Sequence, residues 1–146
     1  MVLVDVNLLV HATNADSPDY AGARVWLSQL LQSKETVGLP WAVLVGFVRI
    51  TTNPRILPNP LALDQALTQV NDWLALPNVQ IIHPTHEHAR VFSDLCRAAN
   101  ATGNLVTDAH LAALATEHGG ELASCDDDFR KFAGLRWFNP LDTPTS

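Results

Sequence analysis

Residues 103–129, GNLVTDAHLAALATEHGGELASCDDDF, set out a helix, a break, a strand and a run of acids in immediate succession. Gly103-Asn104 interrupts the chain, and a helix is expected over about 107–117. Gly119-Gly120 ends it, because glycine readily takes the left-handed turn that closes a helix. Glu121 to Cys125 then reads as a strand, and Asp126 to Phe132 as one short helical turn. The start of the chain repeats part of this order. Val2-Leu3-Val4 is an apolar run that reads as a buried strand, ended by Asp5 and Asn7 ahead of a helix.

Outward from these two segments the alternation continues. Residues 19–33 place Ala23, Trp26, Leu27, Leu30 and Leu31 at the spacing of a one-faced helix. A strand near 36–39 leads into a helix over roughly 41–52, opened by Pro40 and stopped by Asn53-Pro54. Leu57 to Pro60 is a stiff connector. A helix over about 61–75 gathers Leu63, Ala66, Leu67, Val70 and Leu74 on one side. A strand near 78–82 precedes a helix over about 85–100 that turns Phe92, Leu95, Cys96 and Ala99 inward, and residues 135–138 form a last strand. Strands alternating with helices predict a single α/β domain over residues 1–146, its central sheet mostly parallel with helices on both faces. Ligands of such sheets bind beyond the carboxyl ends of the strands.

Composition narrows the function classes. A chain of 146 residues, 47% hydrophobic, is long enough for one packed core. Mean hydropathy is +0.08, and no apolar run approaches the roughly 18 residues of a membrane span. The opening MVLVDVNLL has no basic segment and carries Asp5 within its apolar run, so no signal peptide is expected. Cys96 and Cys125 make no disulfide framework and suit a reducing cytoplasm. The net charge of −6 argues against nucleic-acid binding by overall charge, so any such role needs a local site or another chain. The acids are eleven Asp against four Glu, and Asp serves caps, turns and metal sites.

Two strands run straight into acid, Val2–Val4 into Asp5 and Leu122–Cys125 into Asp126-Asp127-Asp128. Asp108 lies in the expected first turn of the helix before the second strand. If both strands are parallel and central, Asp5, Asp108 and Asp126 converge at one end of the sheet. Carboxylates so close repel, and a divalent cation removes the penalty. Open all-oxygen sites favour Mg²⁺ or Mn²⁺ over zinc, and they support phosphoester hydrolysis. Each acid also has a structural use: Asp108 as a helix cap or first-turn acid, Asp126 to Asp128 as a solvated turn, Asp5 as a cap.

At these residues the chain resembles a PIN-domain ribonuclease, specifically the toxin of a VapBC-type toxin–antitoxin pair. The resemblance rests on VLVDVNLLVHA, LPWAVLVGFVRITTNPRI, GNLVTDAHLAALA and SCDDDFRKFAGLRWFNPL, in that order along nearly the whole chain. It implies a Mg²⁺- or Mn²⁺-dependent endoribonuclease with catalytic acids Asp5, Asp108, Asp126 and Asp128, the first three holding the metal. It also implies that Asn7 and Ser124 support Asp5, that the substrate is an RNA of the tRNA or rRNA class, and that the partners are a VapB-type antitoxin and a second copy of the chain. One position departs. Where the family has a Glu three residues before Arg49, this chain has Gly46, and residues 36–63 contain neither Asp nor Glu. The alternative this opens is a catalytically weak or inactive PIN fold that binds RNA or protein.

Other patterns are read as structural. His83, His86 and His88 with Glu87 lack the i, i+4 pair of a zinc helix and read as a polar helix entrance. His110 falls on another helix face than Asp108. Cys125 reads as a small buried residue, its thiol pKa raised by the acids. Trp26, Trp41, Trp73 and Trp137 are expected in the core or an interface, Trp73 and the 41–52 helix being the interface candidates. Phosphate contact falls to Arg49, Arg55 and Arg130, with Lys131 and Arg136 as further cations. No phosphate loop is present, so no nucleotide cofactor is expected. A phosphatase forming an aspartyl-phosphate on Asp5 wants a second Asp two residues on, where this chain has Asn7.

Overall fold

Val2, Leu3 and Val4, the first strand (β1, Val2–Val4), are all buried. Consecutive strand residues point to opposite faces, so both faces of β1 are covered, as an apolar run without alternation requires. The computed structural model describes residues 1–142. Four further strands follow: β2 (Val37–Leu39), β3 (Val79–Ile81), β4 (Glu121–Ala123) and β5 (Trp137–Phe138). They form one sheet in the order β3-β2-β1-β4-β5, and every pairing is parallel. Chain order therefore runs outward from β1 in one direction and resumes on its other side with β4. In open α/β sheets the crevice for ligands opens at this reversal.

The helices are α1 (Val6–Thr13), α2 (Tyr20–Leu31), α3 (Trp41–Thr51), α4 (Leu63–Leu74), α5 (His88–Ala98) and α6 (Asn104–Glu117). α1 packs on α2 and α3, α3 on α4, and α5 on α6. Small side chains bring α6 close to its neighbours: Ala109, Ala112, Ala113 and Ala115 are buried beside Leu111 and Leu114. Gly38 serves a similar end in β2, where a Cβ would lie 2.6 Å from Ile82 Cγ1 and 3.1 Å from Leu3 Cγ. No helix among the described residues is long and apolar enough to cross a membrane.

Several expectations are corrected. α6 begins at Asn104, three residues before the predicted 107, because Gly103 makes the break by itself at φ 59°. Asp108 therefore lies in the second turn of α6, not the first, and the capping use of Asp108 falls. In α4 the buried stripe is Ala66, Val70 and Trp73, whereas Leu63 and Leu67 are exposed. Trp73 packs edge-to-face on Phe47 with ring centroids 4.8 Å apart, so it is core and not interface material. Trp41 is the reverse: at 48% exposure it is no core residue. α5 packs its apolar side on the core yet has no fully buried residue. His88 opens α5, as a polar helix entrance would, but it is half-buried and has partners. Its Nδ1–H donates to Glu117, its Nε2 lies 2.9 Å from His110 Nδ1, and the three side chains tie α5 to α6.

Candidate functional site

Asp5 follows β1 directly, and Ser124, Cys125 and Asp126 follow β4. Since Val4 pairs with Ala123, the parallel register brings the residues after both strands side by side. Asp108 reaches the same place from α6. Asp5, Asp108 and Asp126 line one pocket of about 190 Å³, together with Val6, Asn7, Ala42, Val43, Thr107 and Leu111. A larger groove of about 620 Å³ opens between α2 and α4, but no residue lining it is acidic.

Hydrogen bonds fix the acids from two sides. Asp5 Oδ1 accepts from the Val6 N–H at 2.7 Å, which caps α1. Asp5 Oδ2 accepts from the Ser124 hydroxyl at 2.7 Å and from Asn7 Nδ2 at 3.3 Å. Asn7 Nδ2 also donates to Ser124 Oγ at 3.1 Å, and Ser124 Oγ accepts the Asp126 N–H at 3.0 Å. The capping use of Asp5 and its place in the pocket are thus compatible. Past Asp126 the chain enters a 3-10 turn, Asp127–Lys131, with Asp126 Oδ1 accepting the Asp128 N–H at 2.9 Å. Carboxylate oxygens of Asp108, Asp126 and Asp128 lie within 4.8 Å of one another. The sequence reading grouped Asp5 with Asp108 and Asp126 as metal ligands; this closest group has Asp128 in place of Asp5. The available clue was the Asp-x-Asp spacing, typical of a turn in which one carboxylate accepts the N–H two residues on.

Crowding shows in the acid strengths. Burial pushes the Asp108 carboxyl up from 3.8 to about 6, and repulsion from Asp126, Asp5 and Asp128 adds to it. Asp5 is also raised by burial, against the lowering effect of the Ser124 and Val6 hydrogen bonds. Burial and the charge of Asp5 raise the Cys125 thiol to about 11, so it is no nucleophile at neutral pH. A carboxyl that holds its proton more tightly when folded removes stability as it ionises. In a chelating buffer, melting temperature is expected to fall as pH rises from about 4 through about 6. Adding Mn²⁺ at pH 7 is expected to restore it. Thermal denaturation checks both, and a flat profile through that window would contradict the crowding.

The cations are spread apart. Arg130 stands 3.9 Å from Asp127 and lies over the Trp137 ring at 5.3 Å, while Lys131 pairs with Asp128 at 3.1 Å. Arg136 donates to the Gly119 carbonyl. Arg49, on the outer face of α3, and Arg55, in the turn after it, are exposed and make no ion pair among the described residues. None of the five lines the pocket. A Cβ on Gly46 would sit 3.4 Å from Val6 Cγ2, so position 46 abuts the residue after Asp5 and contributes no side chain. Ala42, Val43 and Thr107 were missed as lining residues; they come together only because the first turn of α3 and the start of α6 border the same cavity from different parts of the chain.

Comparison with known proteins agrees with this architecture. The PIN-domain family model matches residues 2–135. Ribonuclease VapC37 of Mycobacterium tuberculosis is 41% identical over 96% of this chain and 97% of its own length. Ribonuclease VapC43 of Mycobacterium tuberculosis is 40% identical over 99% of each. Among solved structures, VapBC2 from Rickettsia felis bound to a DNA fragment from their promoter superposes with a TM-score of 0.71 at 17% identity, covering 95% of this chain and 98% of that one. Mycobacterium tuberculosis VapC20, a sarcin-ricin loop cleaving toxin, does so with a TM-score of 0.66 at 18% identity, covering 93% and 99%. Identities this low speak for the fold alone. With a five-stranded parallel sheet, acids at its switch point and a family match over most of its length, the chain belongs to the PIN-domain family.

Proposed function

We propose that this single-domain chain is a Mg²⁺- or Mn²⁺-dependent endoribonuclease that hydrolyses RNA phosphodiester bonds, the toxin of a type II toxin–antitoxin pair. The observation that carries the reading is the meeting of Asp5, Asp108 and Asp126 in one pocket at the switch point of the sheet. The donor set fits a hard cation, since it consists of carboxylate oxygens and is crowded enough to hold Asp108 partly protonated near pH 6. Asp108 and Asp126 would hold the ion, with Asp5 and Asp128 beside them. Asp5 accepts three hydrogen bonds and keeps one lone-pair site for it. A divalent cation bound there offsets charge growing on the phosphorus oxygens and makes water more acidic.

The protein's own residues do the positioning. Ser124 and Asn7 hold the Asp5 carboxylate against β4, and the N–H of Asp128 orients Asp126. Asp128, within 4.8 Å of the other two, brings a third acid to the group without any carboxylate at position 46. Arg49, Arg55 and Arg130 are the assigned RNA contacts. The ribonuclease names of relatives about 40% identical to this chain support an RNA substrate, which this reading takes to be of the tRNA or rRNA class. The VapBC complex of like fold is in keeping with a VapB-type antitoxin as partner. Exposed Ile56, Leu63 and Leu67 are surface that a second copy of the chain could cover. The reading assigns the protein to the cytoplasm, in keeping with its free cysteines.

The test is cleavage of a structured RNA by the purified chain. Cutting is expected with Mg²⁺ or Mn²⁺, none in EDTA, and recovery on adding excess cation. Asp5→Asn is expected to abolish cutting with little loss of folding, because Asn can still cap α1. Full-rate cleavage in EDTA, or by the Asn variant, would overturn the reading.

A further inference from the structure

Three of the four tryptophans have partners. Trp26 packs edge-on to Phe138 at 6.3 Å, Trp73 packs on Phe47, and the Trp137 indole N–H donates to the Ser124 carbonyl at 3.0 Å beneath Arg130. Trp41 has none of these among the described residues, and 48% of it is exposed. Its place in the fold is specific. It is the first residue of α3, and the next two, Ala42 and Val43, line the pocket with Asp5, Asp108 and Asp126. Trp41 does not itself line the pocket, but it belongs to the helix turn that does, and there a large flat apolar ring is left half in water, where solvation alone does not favour it.

The same helix face continues away from the pocket. Val45, 60% exposed, and Arg49 follow Trp41 at intervals of four residues and so share its side of α3. Arg49 lies about 12 Å along the helix axis from Trp41. The charge of the region differs from that of the whole. The chain carries −6, yet the segment from Thr36 through Leu63 has no Asp or Glu and contains Arg49 and Arg55. A polyanion approaching the acids over α3 meets Trp41, Val45 and the exposed Arg49, with Arg55 in the turn beyond, instead of further carboxylates.

We propose that Trp41 is the stacking platform for an unpaired nucleobase of the RNA whose phosphodiester enters the acid pocket, and that Arg49 takes a backbone phosphate farther along the same strand. The proposal rests on the nuclease reading and deepens it, since it assigns the substrate class as single-stranded at the site. Stacking is tolerant of base identity, so the platform selects for an exposed strand, not for a sequence.

The experiment uses the full chain in EDTA, where nothing is cut, with a mixed-sequence single-stranded oligoribonucleotide and the same sequence as a duplex. Intrinsic fluorescence is expected to be quenched by the single strand and much less by the duplex. Followed by fluorescence anisotropy of a labelled strand, Trp41→Phe is expected to bind within about threefold of wild type but without the quench. Trp41→Leu, apolar but not aromatic, is expected to bind about tenfold more weakly. In Mg²⁺ that loss is expected in KM, with kcat nearly unchanged. Arg49→Gln is expected to reduce the slope of log affinity against log salt by about 1. Circular dichroism checks folding, and the Phe variant keeps the test valid if the Leu variant misfolds. Two results overturn the platform: Trp41→Leu binding as tightly as wild type, or losing affinity only as its mass in sedimentation equilibrium halves. The second would make this face a contact between copies. A wild type that cuts while Trp41→Leu binds normally removes the platform and leaves the nuclease. A wild type that shows the quench and does not cut keeps the platform and removes the nuclease.

Discussion

Asp108→Asn is expected to lower RNA cleavage at least about 100-fold while making the cation-free protein more stable at pH 7. Loss of an outer partner at a metal site typically costs 10–100-fold, and loss of a direct ligand is expected to cost no less. The gain in stability follows from the raised carboxyl. Asp108, pushed to about 6 by burial and by Asp126, Asp5 and Asp128, disfavours the fold once ionised, and Asn carries no charge to repel. The two proteins should therefore melt together near pH 4, separate as pH rises to about 6 and keep that gap above it, the variant melting higher. With Mn²⁺ the order is expected to shrink or reverse, because only the wild type gains full cation binding. Melting curves with and without Mn²⁺, beside a single-turnover cleavage assay, check every part. A variant that cuts normally, or melts lower in chelator, would remove Asp108 from the site.

Phe129→Ala is expected to cost about 3–5 kcal/mol, the usual range for emptying a buried phenylalanine site. Phe129 is 1% exposed and lies 6.2 Å from the Phe132 ring, so these two rings seat the 3-10 turn Asp127–Lys131 on the core. That turn also presents Asp128 and follows Asp126. Loosening it is expected to weaken cation binding together with the fold, unlike Asp108→Asn, which separates the two. Urea denaturation gives the stability and calorimetric Mn²⁺ titration the binding. Phe129→Leu, which keeps most of the apolar volume, is expected to lose less of both. An Ala variant as stable as wild type would mean that packing of Phe129 does not seat the acids.

Much of the fold could be read from local chemistry. An apolar triplet followed by Asp5, and Leu122-Ala123 followed within three residues by Asp126, mark strands that end at a polar edge. α2 and α3 lie within about two residues of their expected bounds, because their apolar spacing and proline or glycine punctuation are local. Periodicity failed where it had to say which side of a helix is covered. In α4 it grouped Leu63 and Leu67 with Ala66 and Val70, but only the stripe through Ala66, Val70 and Trp73 meets Phe47 and the rest of the core. Trp41 could not be told from a core residue for the same reason. The start of α6 was missed because Gly103 ends the preceding turn alone, and the helix then takes up Asn104 to Val106 without a side-chain cap. His88, Glu117 and His110 become neighbours only through the packing of α5 on α6.

By itself the sequence determined the alternation of strands and helices and the placing of acids just beyond two strand ends, since burial of short apolar runs and the cost of burying charge act within a few residues. Only the tertiary structure decided that β1 and β4 lie side by side, that Ser124 reaches across to Asp5, and that Asp128 joins Asp108 and Asp126. Parallel pairing joins residues far apart in the chain, and it is selected by covering both faces of β1 at once, a condition on the whole molecule that no local pattern encodes.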